Sequence, residues 1–183
     1  FIRRPEGIEV LFGEQERRVV ALALQLVEGV DATDTDDPAA ARLNYRAHPD
    51  EPEADERFRR LTAQLLDDAR AEDRRRFADT LRQDRLDIEE AEAWIRVIGE
   101  ARLVLASRLG ITEDGWEDGM DPATASPQML LLHVLGQVQD GLVQALLRVV
   151  ADAYPAARAD DEEVQRRRAS RPDLQVHVLA VRD

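Results

Sequence analysis

Residues 90–111 read EAEAWIRVIGEARLVLASRLGI. At about 100° per residue, Trp94, Ile98, Ala101, Leu105 and Leu109 fall on one side of a helix, with Arg96, Glu100 and Ser107 opposite. Asp87 stands three residues ahead of Glu90, the spacing of an N-terminal capping box, and Gly110 supplies a stop. The fold class turns on this segment, because a helix so apolar must be covered by other elements. Arg102 and Arg108 lie at the two margins of the apolar side. A guanidinium placed there either reaches solvent along its aliphatic stem or meets a carboxylate with good geometry, since an unpaired buried charge is costly. Asp140, Asp55 and Glu56 are the candidate partners, and structural pairing is preferred to an anion-binding pocket.

Working outward, Ser126 and Pro127 form a cap followed by a favoured first helical residue, and an apolar helix is expected from there to about Ala151. Its polar residues His133, Gln137, Asp140, Gln144 and Arg148 recur at spacings that draw one narrow line. With the rest mostly apolar, this helix is expected to be the centre of a bundle or the seam of a dimer. On the N-terminal side, the segment EQERRVVALALQLVEGV reads as a helix that starts with glutamates and ends at Gly29, with Val19, Leu22, Leu26 and Val30 on one face. The segment from Pro49 to Gln83 carries Phe58, Leu61, Leu65 and Ala69 as a helical stripe that blurs near Asp73, so two helices or one long exposed helix would fit. Arg74 to Arg76 sit among carboxylates and read as a solvated charged face.

Alternation marks the ends. FIRRPEGIEVLF places a Pro-Glu-Gly turn before Ile8, Val10 and Phe12, which suggests a hairpin. LQVHVLAVRD alternates as well, and a strand over residues 174–181 is expected to join that hairpin, or to be donated by a second chain, because two strands alone are marginal. The expected fold is therefore mainly α, a single domain over residues 1–183 in which four to five helices accompany a small antiparallel sheet. Acidic linkers are expected near 31–38 and 112–125, with a charged connector over 155–172. DATDTDDP lacks the glycine and distal glutamate of a calcium loop, and Trp116 reads as an anchor onto the core. Glu162 and Glu163 precede Arg166 and Arg167 by four, the spacing of surface ion pairs.

Composition narrows the function. The 183 residues are 44% hydrophobic with a formal charge of -13, which disfavours nucleic acid and acidic membrane surfaces as partners. All 25 basic residues are arginine, so a Walker loop, a Schiff base and a lysine general base are excluded. Cysteine is absent, which removes disulfides and thiolate chemistry and fits a reducing compartment. The N-terminal residues lack a signal-peptide core and the apolar runs, such as MLLL, are far short of a membrane span, so a soluble, cytoplasmic protein is expected. Ser107, Ser126 and Ser170 sit in no nucleophile elbow, and His48, His133 and His177 have no second ligand at metal spacing. No catalytic motif, cofactor or metal site is expected.

Three segments carry a family resemblance: DPAAARLNYRAHPDEPEADERFRRLT, LDIEEAEAWIRVIGEARLVLASRLGI and LLHVLGQVQDGLVQALL. They resemble the actinobacterial family catalogued as domain of unknown function number two thousand and seventeen, over roughly residues 1–150. The residues that carry it are Asp37, Pro38, Arg42 and Leu43; Glu56, Phe58, Arg59, Arg60 and Thr62; and Trp94, Arg102, Arg108, Leu109 and Gly110. Ile95, Asn44 and Ser107 depart from the family pattern, which commonly has leucine, an aromatic residue and threonine there. The resemblance implies no catalytic residues. Its members are often encoded beside the adaptor of the Clp protease, which implies a link to regulated proteolysis. The function expected is that of a non-enzymatic adaptor or regulator acting as a homodimer. The alternative is a domain that binds a small anion or phosphorylated metabolite through Arg59, Arg60, Arg102 or Arg108.

Overall fold

In the computed structural model, the structure describes residues 1–4, 7–31, 34, 36–44, 46–112, 116, 120–121 and 124–153. The helix that decides the fold, α4, spans Ile88–Arg108 and begins with the capping box read from its sequence. Asp87 Oδ1 accepts from the Glu90 N–H at 2.8 Å, and the Glu90 carboxylate accepts from the Asp87 N–H at 2.8 Å. Its C-terminus closes at Gly110, with φ of +68°, where Gly110 N–H reaches Ser107 O and Ile111 N–H reaches Ala106 O. A side chain disfavours that left-handed conformation, so glycine ends the helix there.

The protein is mainly α, with five helices and a three-stranded antiparallel sheet among the described residues. In chain order these are β1 (Ile2–Arg4), β2 (Gly7–Glu9), α1 (Glu14–Glu28), α2 (Pro38–Leu43), α3 (Pro52–Thr80), β3 (Arg85–Leu86), then α4, and α5 (Pro127–Ala153). The sheet order is β1-β2-β3, with Ile8 opposite Arg3 on one side and Leu86 on the other. The hairpin is thus present, and the strand that completes it comes from the turn between α3 and α4. The expected strand over 174–181 lies outside the described residues, as do the connector over 155–172 and the paired charges of Glu162 to Arg168. Gly7 has φ of +136°, and a Cβ there would collide with the Leu86 carbonyl, so only glycine lets β2 approach β3.

The core corrects the expectation for α5. It is α4 that occupies the centre, packed against α1, α2, α3 and α5 and touching β2 and β3. Trp94, Val97, Ile98, Ala101 and Val104 of α4 are buried, together with Ile8, Phe77, Leu86, Leu135 and Leu142 from the elements around it. By contrast α5 is covered on one side only, through Leu132, Leu135, Val138, Leu142 and Ala145, while Gln137, Asp140, Gln144 and Arg148 face solvent. Apart from His133, which is partly buried, the polar line read in its sequence is therefore its outer face. By length and composition alone Pro127–Val149 would also suit a membrane span, which the short MLLL run did not suggest; in the fold its apolar stripe packs on α4.

Two other readings shift. In α1 the buried residues are Val20, Ala23 and Val27, and Leu22 is exposed, so the packing stripe runs one position later than Val19, Leu22 and Leu26. In the expected linker, Asp37 caps α2 by accepting from the Ala39 N–H at 2.8 Å, and Pro38 supplies the favoured first residue. Trp116 is partly buried against the core, as an anchor should be.

Candidate functional site

α3 is one continuous helix of 29 residues, and its two halves live in different environments. Its first turn is fixed by Asp55, whose side chain is nearly fully buried and accepts from the His48 N–H and from Arg46 Nε, both at 3.2 Å. The His48 N–H beside it, and then the Arg46 guanidinium, hold the Asp55 carboxyl below the ordinary carboxylate value against the opposing effect of burial. The His48 ring packs edge-on against Phe58 at 6.0 Å.

The C-terminal half lies on α4, through charges first and apolar residues last. Glu100 receives Arg70 at 3.0 Å and Arg74 at 3.1 Å, and Asp73 receives Arg96 in a two-point contact at 2.7 and 2.8 Å. Arg76 reaches Glu89 at 2.6 Å and Glu72 at 2.8 Å. Hydrogen bonds from Arg75 and Arg76 hold the Glu72 carboxyl below its ordinary value, and Glu89 followed by Glu72 holds Arg76 well above the usual arginine value. Phe77 and Thr80 then enter the core. Glu100, on the side of α4 opposite its apolar stripe, is thus covered by α3, Arg96 beside it is half exposed and held by Asp73, and Arg74 and Arg76 belong to this seam instead of a solvated face. An open groove of ≈ 450 Å³ follows it, lined by Ala69, Glu72, Asp73, Arg76, Glu89, Glu92 and Arg96.

From Glu56 to Ala69 the helix stands away from the rest, and only Thr62 is partly covered. Phe58 is 40% exposed, Leu61 79%, Leu65 71% and Leu66 46%. The apolar stripe legible in the sequence is real, but it is the outward face of α3. It lies beside the direction that buries Asp55, Phe77 and Thr80, about a quarter-turn round the helix.

The arginines singled out for charge pairing occupy separate environments. Arg59 approaches Glu56 at 3.9 Å on the exposed half of α3, and Arg60 lines an open depression of ≈ 520 Å³ with Pro52, Glu53, Glu56 and Arg57. Arg108 does pair with a carboxylate, Asp37 Oδ2 at 3.6 Å, and so ties the end of α4 to the cap of α2. Arg102 has no carboxylate partner among the described residues; its Nη1 donates to Gln139 Oε1 at 2.7 Å, and Gln139 Nε2 donates to the Ile95 carbonyl at 3.1 Å. The expected partner Asp140 points to solvent, Asp55 is taken by Arg46, and Glu56 stands on the exposed part of α3. One residue position on α5 decides this, because Gln139 faces α4 where Asp140 does not.

The sequence reading missed Arg17, which donates to the carbonyls of Phe12, Leu81 and Gln83 and to Asp84 Oδ1, the last at 2.7 Å. This clamp joins α1 to the chain leaving α3, and its partners lie up to 67 positions away, beyond any local pattern. Also missed were Arg57 and Asp68, exposed beside the stripe and eleven residues apart, a spacing that returns to the same helix face after three turns.

Comparison with known proteins agrees with the resemblance. Neither curated proteins nor solved structures yield a match. A family match spans residues 1–146, and with it about four fifths of the sequence, including α1 to α4 and most of α5. The chain belongs to the family described as Domain of unknown function (DUF2017).

Proposed function

We propose that this chain is a non-enzymatic, cytosolic interaction protein, an adaptor or regulator acting as a homodimer, and that the outer half of α3 is its docking element. The observation that carries this reading is the exposed row of Phe58, Leu61, Leu65 and Leu66 on a helix anchored at both ends. Contiguous apolar residues with a charged border mark interaction surfaces, since leaving them in water is unfavourable. Asp55 fixes the start of the helix, and the arginine–carboxylate seam with α4 fixes its end, so the row is presented on a rigid element. A helix that lays apolar side chains at such spacings into a partner is a recurring recognition mode.

The experiment compares proteins captured from a cell extract by the wild-type chain and by the Leu61→Asp, Leu65→Asp variant. Both residues are exposed, so the variant is expected to stay within about 0.5 kcal/mol of wild-type stability and to keep its helical spectrum. Loss of the captured set supports the reading, and an unchanged set sinks it. The link to Clp-type proteolysis is the narrower part of the proposal and rests on the family resemblance alone. It requires that adding the protein change the degradation rate in a reconstituted Clp reaction with its adaptor; an unaltered rate removes it.

A further inference from the structure

Taking the α3 docking surface as its premise, we infer that the occupant is the same stripe of a second copy, the two α3 helices running antiparallel about a two-fold axis. Charge placement selects this partner. Arg57 and Asp68 flank the apolar row on one side, three helical turns apart and within about 20° of each other round the axis. In an antiparallel pair of identical helices related by a two-fold axis, each flank meets its own counterpart. A register that sets Leu61 against Leu65 of the other copy brings Arg57 within one position of the other copy's Asp68, and symmetry makes the contact twice. A parallel two-fold pair would instead put this flank of one copy against the opposite flank of the other, so Arg57 and Asp68 would not meet across the seam.

The charges are available for this. Arg57 makes no ion pair within its own chain among the described residues, and Asp68 accepts only from the Gln64 amide, at 2.9 Å. The apolar row supplies the contact and the charges supply orientation, the division of labour in antiparallel helical pairs. Because the row covers little more than one heptad, the association is expected in the micromolar range.

Sedimentation equilibrium of the full chain tests it. At about 100 µM, well above a micromolar constant, the wild type should be a dimer, and Leu65→Asp should be a monomer with an unchanged helical spectrum. Arg57→Asp and Asp68→Arg should each weaken the dimer roughly 10-fold, because each replaces two attractive contacts by two repulsive ones. The double variant should return to within a few-fold of wild type, since both contacts re-form with reversed polarity. A wild type that stays monomeric overturns the pairing, and so does a double variant as weak as the two single changes combined. If the monomer nonetheless captures a partner that the Leu61→Asp, Leu65→Asp variant loses, the docking surface stands and only the second copy is wrong. The chain's own residues beyond Ala153, were they to fill the stripe, would likewise leave a monomer and overturn the inference.

Discussion

Trp94 is fully buried between Phe77 at 5.0 Å and Phe12 at 6.5 Å, and its indole N–H has to find an acceptor there. Thr80 provides it at 2.8 Å, while its own hydroxyl donates to the Arg76 carbonyl at 2.7 Å. Thr80→Val keeps the shape and strands the indole donor, so a loss of about 2 kcal/mol is expected in urea denaturation. A change within error of zero would mean that the pair is energetically idle. Arg102 is the opposite case. Had it faced a buried carboxylate, removing the charge would cost about 3 to 5 kcal/mol. Its partner is a neutral amide, its Nε is buried without a hydrogen bond, and its guanidinium lies over Gly136, where methionine would fill similar space. Arg102→Met is therefore expected to cost about 1 kcal/mol or less. The margin position of Arg102 was legible from helical periodicity, but its partner was not, because a one-residue rotation of α5 exchanges Asp140 for Gln139.

At the scale of elements, local signals were the ones that the sequence exposed. A capping box needs only residues within one turn, so the start of α4 could be read from Asp87 and Glu90; likewise Ser126 accepts from the Met129 N–H at 3.2 Å to open α5. Asp87→Ala removes the acceptor for the Glu90 N–H and should cost about 1 kcal/mol in thermal or urea unfolding. An unchanged midpoint would show that tertiary packing alone fixes the helix start. What eluded the sequence was set by distant partners. β3 has two residues, too few for any alternation to register, and it exists because Gly7 lets Leu86 approach. The stripe Phe58, Leu61, Leu65 has helical period whether it is buried or bare, since periodicity identifies an apolar face but not what covers it. Arg96 and Glu100 look like a solvated face for the same reason: whether charges meet water or the Arg70, Asp73 and Arg74 side chains depends on the path of α3.

Across the whole molecule, that path makes stability depend on carboxylates. The C-terminal half of α3 meets α4 through the carboxylates of Asp73, Glu89 and Glu100, and its first turn is held by that of Asp55. Asp55 and Glu72 both have carboxyls held below their ordinary values of 3.8 and 4.5. A group whose value is lowered by folding binds its proton less readily when folded than when unfolded. Its stabilisation is complete above the unfolded value and disappears as pH falls through the lower folded one. The formal charge of -13 acts in the other direction, since its self-repulsion relaxes as carboxylates elsewhere are protonated. The urea midpoint should therefore hold steady or rise slightly from about pH 7 to pH 5, then fall steeply below about pH 4.5 as the paired carboxylates are neutralised. Glu72→Gln should lower the midpoint at neutral pH and remove part of the acid-dependent fall, because the group that titrates is gone while Arg75 and Arg76 have lost their shared partner. A midpoint flat down to about pH 3 would mean that apolar contacts around Phe77 hold α3 to α4 and that the arginine–carboxylate seam adds nothing, and a Glu72→Gln profile parallel to wild type would mean that the Glu72 pairs within α3 add nothing.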